Sequence, residues 1–86
     1  MSIVKIVIDE WDPLNLFPCA PNDEYDFEIR EIKAFLETTR DITILTEEIY
    51  RVFVEAFGRA TFTKDLGECI QVAQKILVMI EQEDQK

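Results

Sequence analysis

Histidine is absent from the 86-residue chain, and Ser2 is its only serine. Their scarcity excludes Ser-His and Cys-His nucleophilic sites, together with the commonest general base and the commonest transition-metal ligand. Glycine occurs only at Gly58 and Gly67, too far apart for a loop that cradles phosphate. We therefore predict a protein that is not an enzyme and that holds no cofactor and no metal ion.

Long apolar runs are missing as well, because Lys5 and Asp9 interrupt the N-terminal "MSIVKIVIDEW" too early for a signal sequence. No other segment approaches the about 20 apolar residues of a membrane-spanning helix, so we expect no membrane association and a cytoplasmic location. Cys19 and Cys69 match no disulfide framework or metal-ligand spacing. We interpret both as buried free thiols in a reducing cytoplasm.

Basic residues are half as frequent as acidic ones: 9 Lys and Arg against 18 Asp and Glu give a net charge of −9. Such a field repels phosphate backbones and anionic lipids, so we expect neither nucleic acid nor a membrane surface as a partner. A basic protein surface is the partner class that it attracts. The alternative is that the acidity only maintains solubility.

Helix breakers are rare outside one short segment, since proline occurs only between positions 13 and 21. The rest of the chain is typical of helices joined by short turns. The periodicity predicts helices at 2–11, 23–38, 42–57 and 64–83, with Asn22 or Asp23 capping the second. The apolar face of the second helix advances by four, three and four positions through Tyr25, Ile29, Ile32 and Leu36. The fourth helix has an apolar face with similar spacing, formed by Leu66, Ile70, Ala73, Ile76, Leu77 and Ile80.

The opening "SIVKIVIDEW" fits either a strand or a helical face, because its β-branched residues suit both patterns. No second strand is evident for it to pair with, so we predict a helix. The expected fold is all-α: a single four-helix bundle-like domain over residues 1–86. Its first helix is short and is joined to the second by a long proline-containing connection.

The only tryptophan lies at the end of the predicted first helix, where that connection begins, and we interpret Trp11, Pro13 and Tyr25 as a structural corner. Pro13 disfavours a helical conformation at Asp12 and so ends the first helix near Trp11, which we expect to be largely buried. The apolar connection should then pack back on the bundle. The side chains of Asp12 and Tyr25 are expected to hold a turn and to bond a polar neighbour, rather than to act in acid-base catalysis.

The blocks "WDPLNL" and "NDEYDFEI" resemble the W-D-P and D-E-Y-D blocks of the YugE-like family of small uncharacterised Bacillus proteins. The resemblance covers most of the chain. It implies a small cytoplasmic all-α bacterial protein without an assigned activity. Similar blocks also occur in proteins that look like toxin-neutralising immunity proteins, which implies a loose link to that role.

The leading functional hypothesis is a non-catalytic interaction domain: an inhibitor, an adaptor or an immunity-like protein. One alternative is a self-associating domain that forms a homodimer through apolar residues displaced from their stripes, namely Phe27, Val54, Phe62 and Val78. The other is a carboxylate-based metal site or enzyme. The predicted partner-binding surface, called here the acidic corner, is formed by Asp9, Glu10, Asp12, Asp23, Glu24 and Asp26, with Phe17 or Phe27 as its apolar contact.

Overall fold

The computed structural model describes residues 2–17, 19 and 23–84, and within them it contains four helices and no strand. The all-α prediction and its four-helix bundle-like form are confirmed. Pro18, Pro21 and the predicted cap Asn22 lie outside the described residues. The helices are α1 (Ile3–Trp11), α2 (Asp26–Leu36), α3 (Ile42–Phe57) and α4 (Leu66–Asp84).

The ambiguous N-terminal segment forms α1. Ser2 is its N-cap in an extended conformation, and the Ser2 hydroxyl accepts a hydrogen bond from the backbone N–H of Lys5 at 3.3 Å. The apolar residues Val4, Val7 and Ile8 are buried on one side. A helical turn places these three side chains together against the core, whereas a strand would divide them between its two faces.

Helix α2 begins at Asp26, three residues later than the predicted start at 23. Asp23 contributes its backbone carbonyl, which accepts the Asp26 N–H at 3.1 Å, in place of the predicted side-chain cap. Tyr25 occupies the N-cap position without a side-chain cap, because its phenol is directed to another partner described below.

Helix α3 has a cap at each end. The Asp41 carboxylate accepts the Ile44 N–H at 3.0 Å, and Gly58 stops the helix with φ at 80°, a value that favours glycine. The carbonyl of Gly58 then accepts the N–H of Phe62 at 2.8 Å. This turn returns Phe62 to the interior, where its ring stacks on that of Phe53 at 5.3 Å.

The helices pack in a ring: α1 lies beside α2 and α4, and α3 lies between α2 and α4. Each therefore shares its apolar face with two neighbours and encloses one core. No helix of the described part of the chain is long and apolar enough to cross a membrane. The fully buried side chains at the centre of the core are Ile8, Tyr25, Ile32, Leu45, Ile49, Phe53, Cys69, Ala73 and Ile76.

The inward face of α4 is rotated from the predicted one. Leu66 and Ile70 are 51% and 42% exposed, whereas Cys69 and Val72 are buried. Both sets have helical spacing, because α4 carries two overlapping apolar stripes that share Ala73 and Ile76. Packing against α1 and α3 selects the stripe that contains Cys69.

The two cysteines are both free, but the prediction that both are buried is wrong for Cys19. Cys19 is exposed because it lies in the connection between α1 and α2 and not on a packed helix face. Cys69 is buried in the core, and this burial, with Asp65 and Glu68 nearby, raises the pKa of its thiol to about 11.

Candidate functional site

The structural corner begins where α1 stops. Asp12 occupies the C-cap position in the left-handed region, with φ at 46°, and its N–H donates to the carbonyl of Ile8 at 2.9 Å. Pro13 follows directly and is buried. A proline disfavours the helical conformation at the residue before it, so the helix does not continue through Asp12. Aspartate tolerates the left-handed conformation better than most residues.

The Asp12 carboxylate accepts three hydrogen bonds. Tyr25 donates its hydroxyl to Oδ1 at 2.6 Å, the backbone N–H of Leu16 donates to Oδ1 at 2.9 Å, and that of Phe17 donates to Oδ2 at 3.1 Å. The Tyr25 hydroxyl in turn accepts the N–H of Leu14 at 3.2 Å. One carboxylate and one phenol therefore satisfy three backbone donors of the connection and tie it to the start of α2.

In this environment the pKa values of Asp12 and Tyr25 both lie further from neutral pH than their usual values. Burial acts to raise the pKa of Asp12, but the hydrogen bonds from Tyr25, Leu16 and Phe17 outweigh it and hold that pKa below its usual value. Burial, reinforced by the bond to Asp12, raises the pKa of the Tyr25 phenol. A carboxylate that stays ionised and a phenol that stays protonated form a stable hydrogen-bonded pair at neutral pH.

Aromatic rings pack around this pair. The ring of Phe17 meets Tyr25 edge-on at 5.5 Å, and the indole of Trp11 meets Phe53 and Phe62 edge-on at 5.7 and 6.0 Å. Trp11 is half-buried: it packs on the core and also lines a surface cleft. Phe17 is likewise half-buried, so its ring supports the corner.

The fold brings only some residues of the acidic corner together, and lysine side chains form ion pairs with three of them. Lys5 Nζ lies 3.0 Å from Asp9 Oδ2 and 3.1 Å from Asp26 Oδ1, so one ammonium joins the end of α1 to the start of α2. Glu10 pairs with Lys75 of α4 at 3.1 Å. The described residues contain no group of three or more Cys, Asp or Glu side chains arranged to hold a metal ion.

Of the predicted partner-binding residues, Asp23, Glu24 and Phe27 are exposed and are not engaged by a lysine, whereas the exposed Glu10 is paired with Lys75. The carboxylates of Asp23 and Glu24 form no ion pair within the described part of the chain, and the Phe27 side chain is 62% exposed. Asp12 is engaged inside the molecule, and Asp9, Glu10 and Asp26 are paired with lysines. The carboxylates that remain available to a partner are therefore fewer than those of the predicted acidic corner.

Phe27 is also part of a groove that sequence reasoning missed, the α2–α3 groove. Helix α3 supplies its second wall, which no pattern within α2 could indicate. Arg51 in that wall is held between Glu48 and Glu55, each with a nitrogen-to-oxygen distance of 2.6 Å. The groove has a volume of about 290 Å³ and is lined by Phe27, Glu31, Arg51, Val52, Glu55 and Ala56.

Glu28 is a second residue that sequence reasoning missed. Its side chain is only 4% exposed, and its Oε1 atom has no hydrogen-bond partner among the described residues. Burial raises the pKa of its carboxyl group, with Glu24 adding a smaller effect in the same direction. Its spacing could have indicated the burial, because Glu28 lies four positions before the buried Ile32.

Two further clefts lie between other helices. One of about 310 Å³ is formed where α1 begins and α2 and α4 end, and its rim carries Lys33, Arg40, Glu37 and Glu83. The other, of about 270 Å³, lies between α1 and α4 beside Trp11. Neither includes Asp12 or Tyr25, so the hydrogen-bonded pair of the corner does not face any of these clefts.

Comparison with known proteins gives a family whose function is unknown. No curated protein and no solved structure matches the chain. One family matches residues 2–85, which include the corner, the acidic residues and all four helices. The chain therefore belongs to the family described as a domain of unknown function, DUF1871.

Proposed function

We propose that this chain is a small non-catalytic protein-interaction domain that acts in the bacterial cytoplasm as an inhibitor, an adaptor or an immunity-like protein. Within its family, the W-D-P and D-E-Y-D blocks make the YugE-like proteins the group with which we align it. Those blocks contribute stability to the domain, since Asp12 and Tyr25 direct their polar atoms to each other and to the backbone.

The observation that carries this proposal is the exposure of Phe27. A phenylalanine that is 62% exposed leaves most of its apolar surface in water, and covering such a side chain fully is worth about 1.5–3 kcal/mol. Asp23 and Glu24 precede it closely, and both are exposed. An aromatic anchor beside unpaired carboxylates is the arrangement expected of a surface that binds a basic protein.

The test is recovery of a partner from the native cell. The chain, tagged and produced at its natural level, is crosslinked in living cells and purified, and the captured proteins are identified and quantified. We expect a defined partner in near-stoichiometric amount. Recovery of the chain alone at every crosslinker dose would remove the interaction hypothesis.

Self-association is a second candidate, and the rotation of α4 favours it. Leu66 and Ile70 lie one turn apart on α4 and are 51% and 42% exposed, so they form an apolar strip outside the core. If two copies pair through this strip, Leu66→Ser should shift a concentration-dependent dimer to monomer in sedimentation experiments. A wild-type chain that stays monomeric at high micromolar concentration would contradict this candidate.

A further inference from the structure

The α2–α3 groove combines an apolar interior with an acidic rim. Phe27 and Glu31 lie one turn apart on α2 and form one wall, while Arg51 and Glu55 form the other on α3. Val52 and Ala56 lie one turn apart on α3 and provide apolar surface between them. A side chain that enters the groove would therefore contact apolar atoms first and carboxylates at the edges.

We propose that the α2–α3 groove binds a basic peptide segment of a protein partner. One large apolar side chain of the segment packs against Phe27, Val52 and Ala56, and flanking Lys or Arg residues pair with the carboxylates. This inference rests on the proposed interaction function and assigns its surface and the chemistry of its partner.

Charge complementarity decides the sign of the partner. Arg51 is the only cation among the described residues that line the groove, and its guanidinium is already bonded to both Glu48 and Glu55. The hydrogen bonds to Glu48 and Glu55 raise the pKa of Arg51, against the opposing effect of burial. Because Arg51 remains charged and occupied, it offers little attraction to an incoming anion.

The carboxylates that remain are free to bind. Glu24 precedes Phe27 by three positions and Glu31 follows it by four, so an acidic side chain lies on either side of the ring along the chain. Both are exposed and form no ion pair with the described residues. Exposed pairs of this kind accelerate encounter and weaken with salt, whereas the apolar contact maintains the complex.

The size of the groove favours a side chain over an enclosed small molecule. Its volume of about 290 Å³ lies at the lower limit of ligand pockets, which span about 300–1,000 Å³. It lies at the surface between α2 and α3, where a peptide backbone could pass. The net charge of −9 repels the phosphate backbone of nucleic acid and attracts a basic peptide.

The experiment selects binders without assuming a sequence. A phage-displayed library of random short peptides is selected on the immobilised wild-type chain, and the enriched peptides are synthesised with a fluorescent label. Their dissociation constants are measured by anisotropy at several salt concentrations. We expect the enriched peptides to carry excess Lys and Arg around a large apolar residue, and to bind more weakly as salt rises.

Two pairs of variants locate the site. Phe27→Ser should weaken binding of the selected peptides about tenfold or more, because it removes the apolar contact. Its control is Val78→Ser, which changes an apolar side chain on α4 that is also exposed, at 45%. Glu24→Gln with Glu31→Gln should reduce the salt dependence, while the control Glu47→Gln with Glu81→Gln, also exposed, should leave it unchanged.

In the peptide experiment, any of three results would overturn the inference: no enriched peptide, enriched peptides without excess positive charge, or equal binding to wild type and Phe27→Ser. Circular dichroism confirms that each variant is folded. If the native partner is captured equally well by Phe27→Ser, the groove assignment fails while the interaction function stands. If sedimentation shows a wild-type dimer that Phe27→Ser dissociates, the occupant is a second copy of the chain and the basic-partner assignment is wrong.

Discussion

Removing the Tyr25 hydroxyl tests whether the hydrogen bonds of the corner stabilise the fold. Tyr25→Phe keeps a ring of nearly the same shape between Phe17 and Phe53, and it deletes one oxygen. That oxygen donates to Asp12 Oδ1 at 2.6 Å and accepts the Leu14 N–H at 3.2 Å. The substitution therefore removes two hydrogen bonds with little change in packing.

The expected loss of unfolding free energy is about 2 kcal/mol. The bond to Asp12 carries this estimate: a hydrogen bond to a charged group contributes about 1.5–3 kcal/mol, and we take a value inside that range because Asp12 is half-buried. For a domain of this size, each kcal/mol shifts the melting temperature by about 4–8 °C, so the midpoint should fall by about 8–16 °C. Urea unfolding followed by Trp11 fluorescence measures the free energy, and circular dichroism measures the midpoint.

Tyr50→Phe is the matched control. Tyr50 is the only other tyrosine, it is half-buried, and its ring contacts Phe62. No hydrogen bond of its hydroxyl occurs within the described part of the chain, so we expect a change of less than about 0.5 kcal/mol. If Tyr25→Phe costs no more than Tyr50→Phe, the corner is held by ring packing and not by its hydrogen bonds.

The pH dependence of stability is a second test of the hydrogen bond between Tyr25 and Asp12. The folded-state pKa of Asp12 is depressed, so its contribution to stability is fully present above its unfolded pKa of about 4 and is lost as pH falls through the lower folded value. The difference in stability between wild type and Tyr25→Phe should therefore be constant near neutral pH and shrink in acid. A difference that grows on acidification would contradict the assignment of Asp12 as the ionised acceptor.

Three other predictions follow from burial and backbone conformation. Glu28→Gln should stabilise the fold at neutral pH, with a gain in urea unfolding that disappears as pH falls through the raised pKa of Glu28; a loss at neutral pH would show that its charge is satisfied. A thiol reagent should modify Cys19 rapidly and Cys69 only after unfolding, so equal rates would contradict the burial of Cys69. Gly58→Ala should cost about 1 kcal/mol because of its positive φ alone, since no atom lies within 4 Å of the added methyl group; an unchanged midpoint would refute this.

Much of the candidate site could be read only in outline from the sequence. The W-D-P block predicted a chain reversal after Trp11, because proline restricts the residue before it whatever the surroundings. Asp12 was predicted to hold a turn and Tyr25 to bond a polar neighbour, but a bond between the two was not predicted, since 13 positions separate them and no local rule links their side chains. The α2–α3 groove was not predicted at all, because its walls come from two helices.

What the sequence by itself determined is local: the helical character of the chain, and the apolar face of α2. These follow from spacing along a single segment, which needs no partner to be read. Tertiary structure alone decided which of two stripes on α4 is buried and which carboxylates are neutralised, as with Lys75 on Glu10 and Lys5 on Asp26. Periodicity shows which residues share a face, but only packing against neighbouring helices decides where that face points and which charges meet.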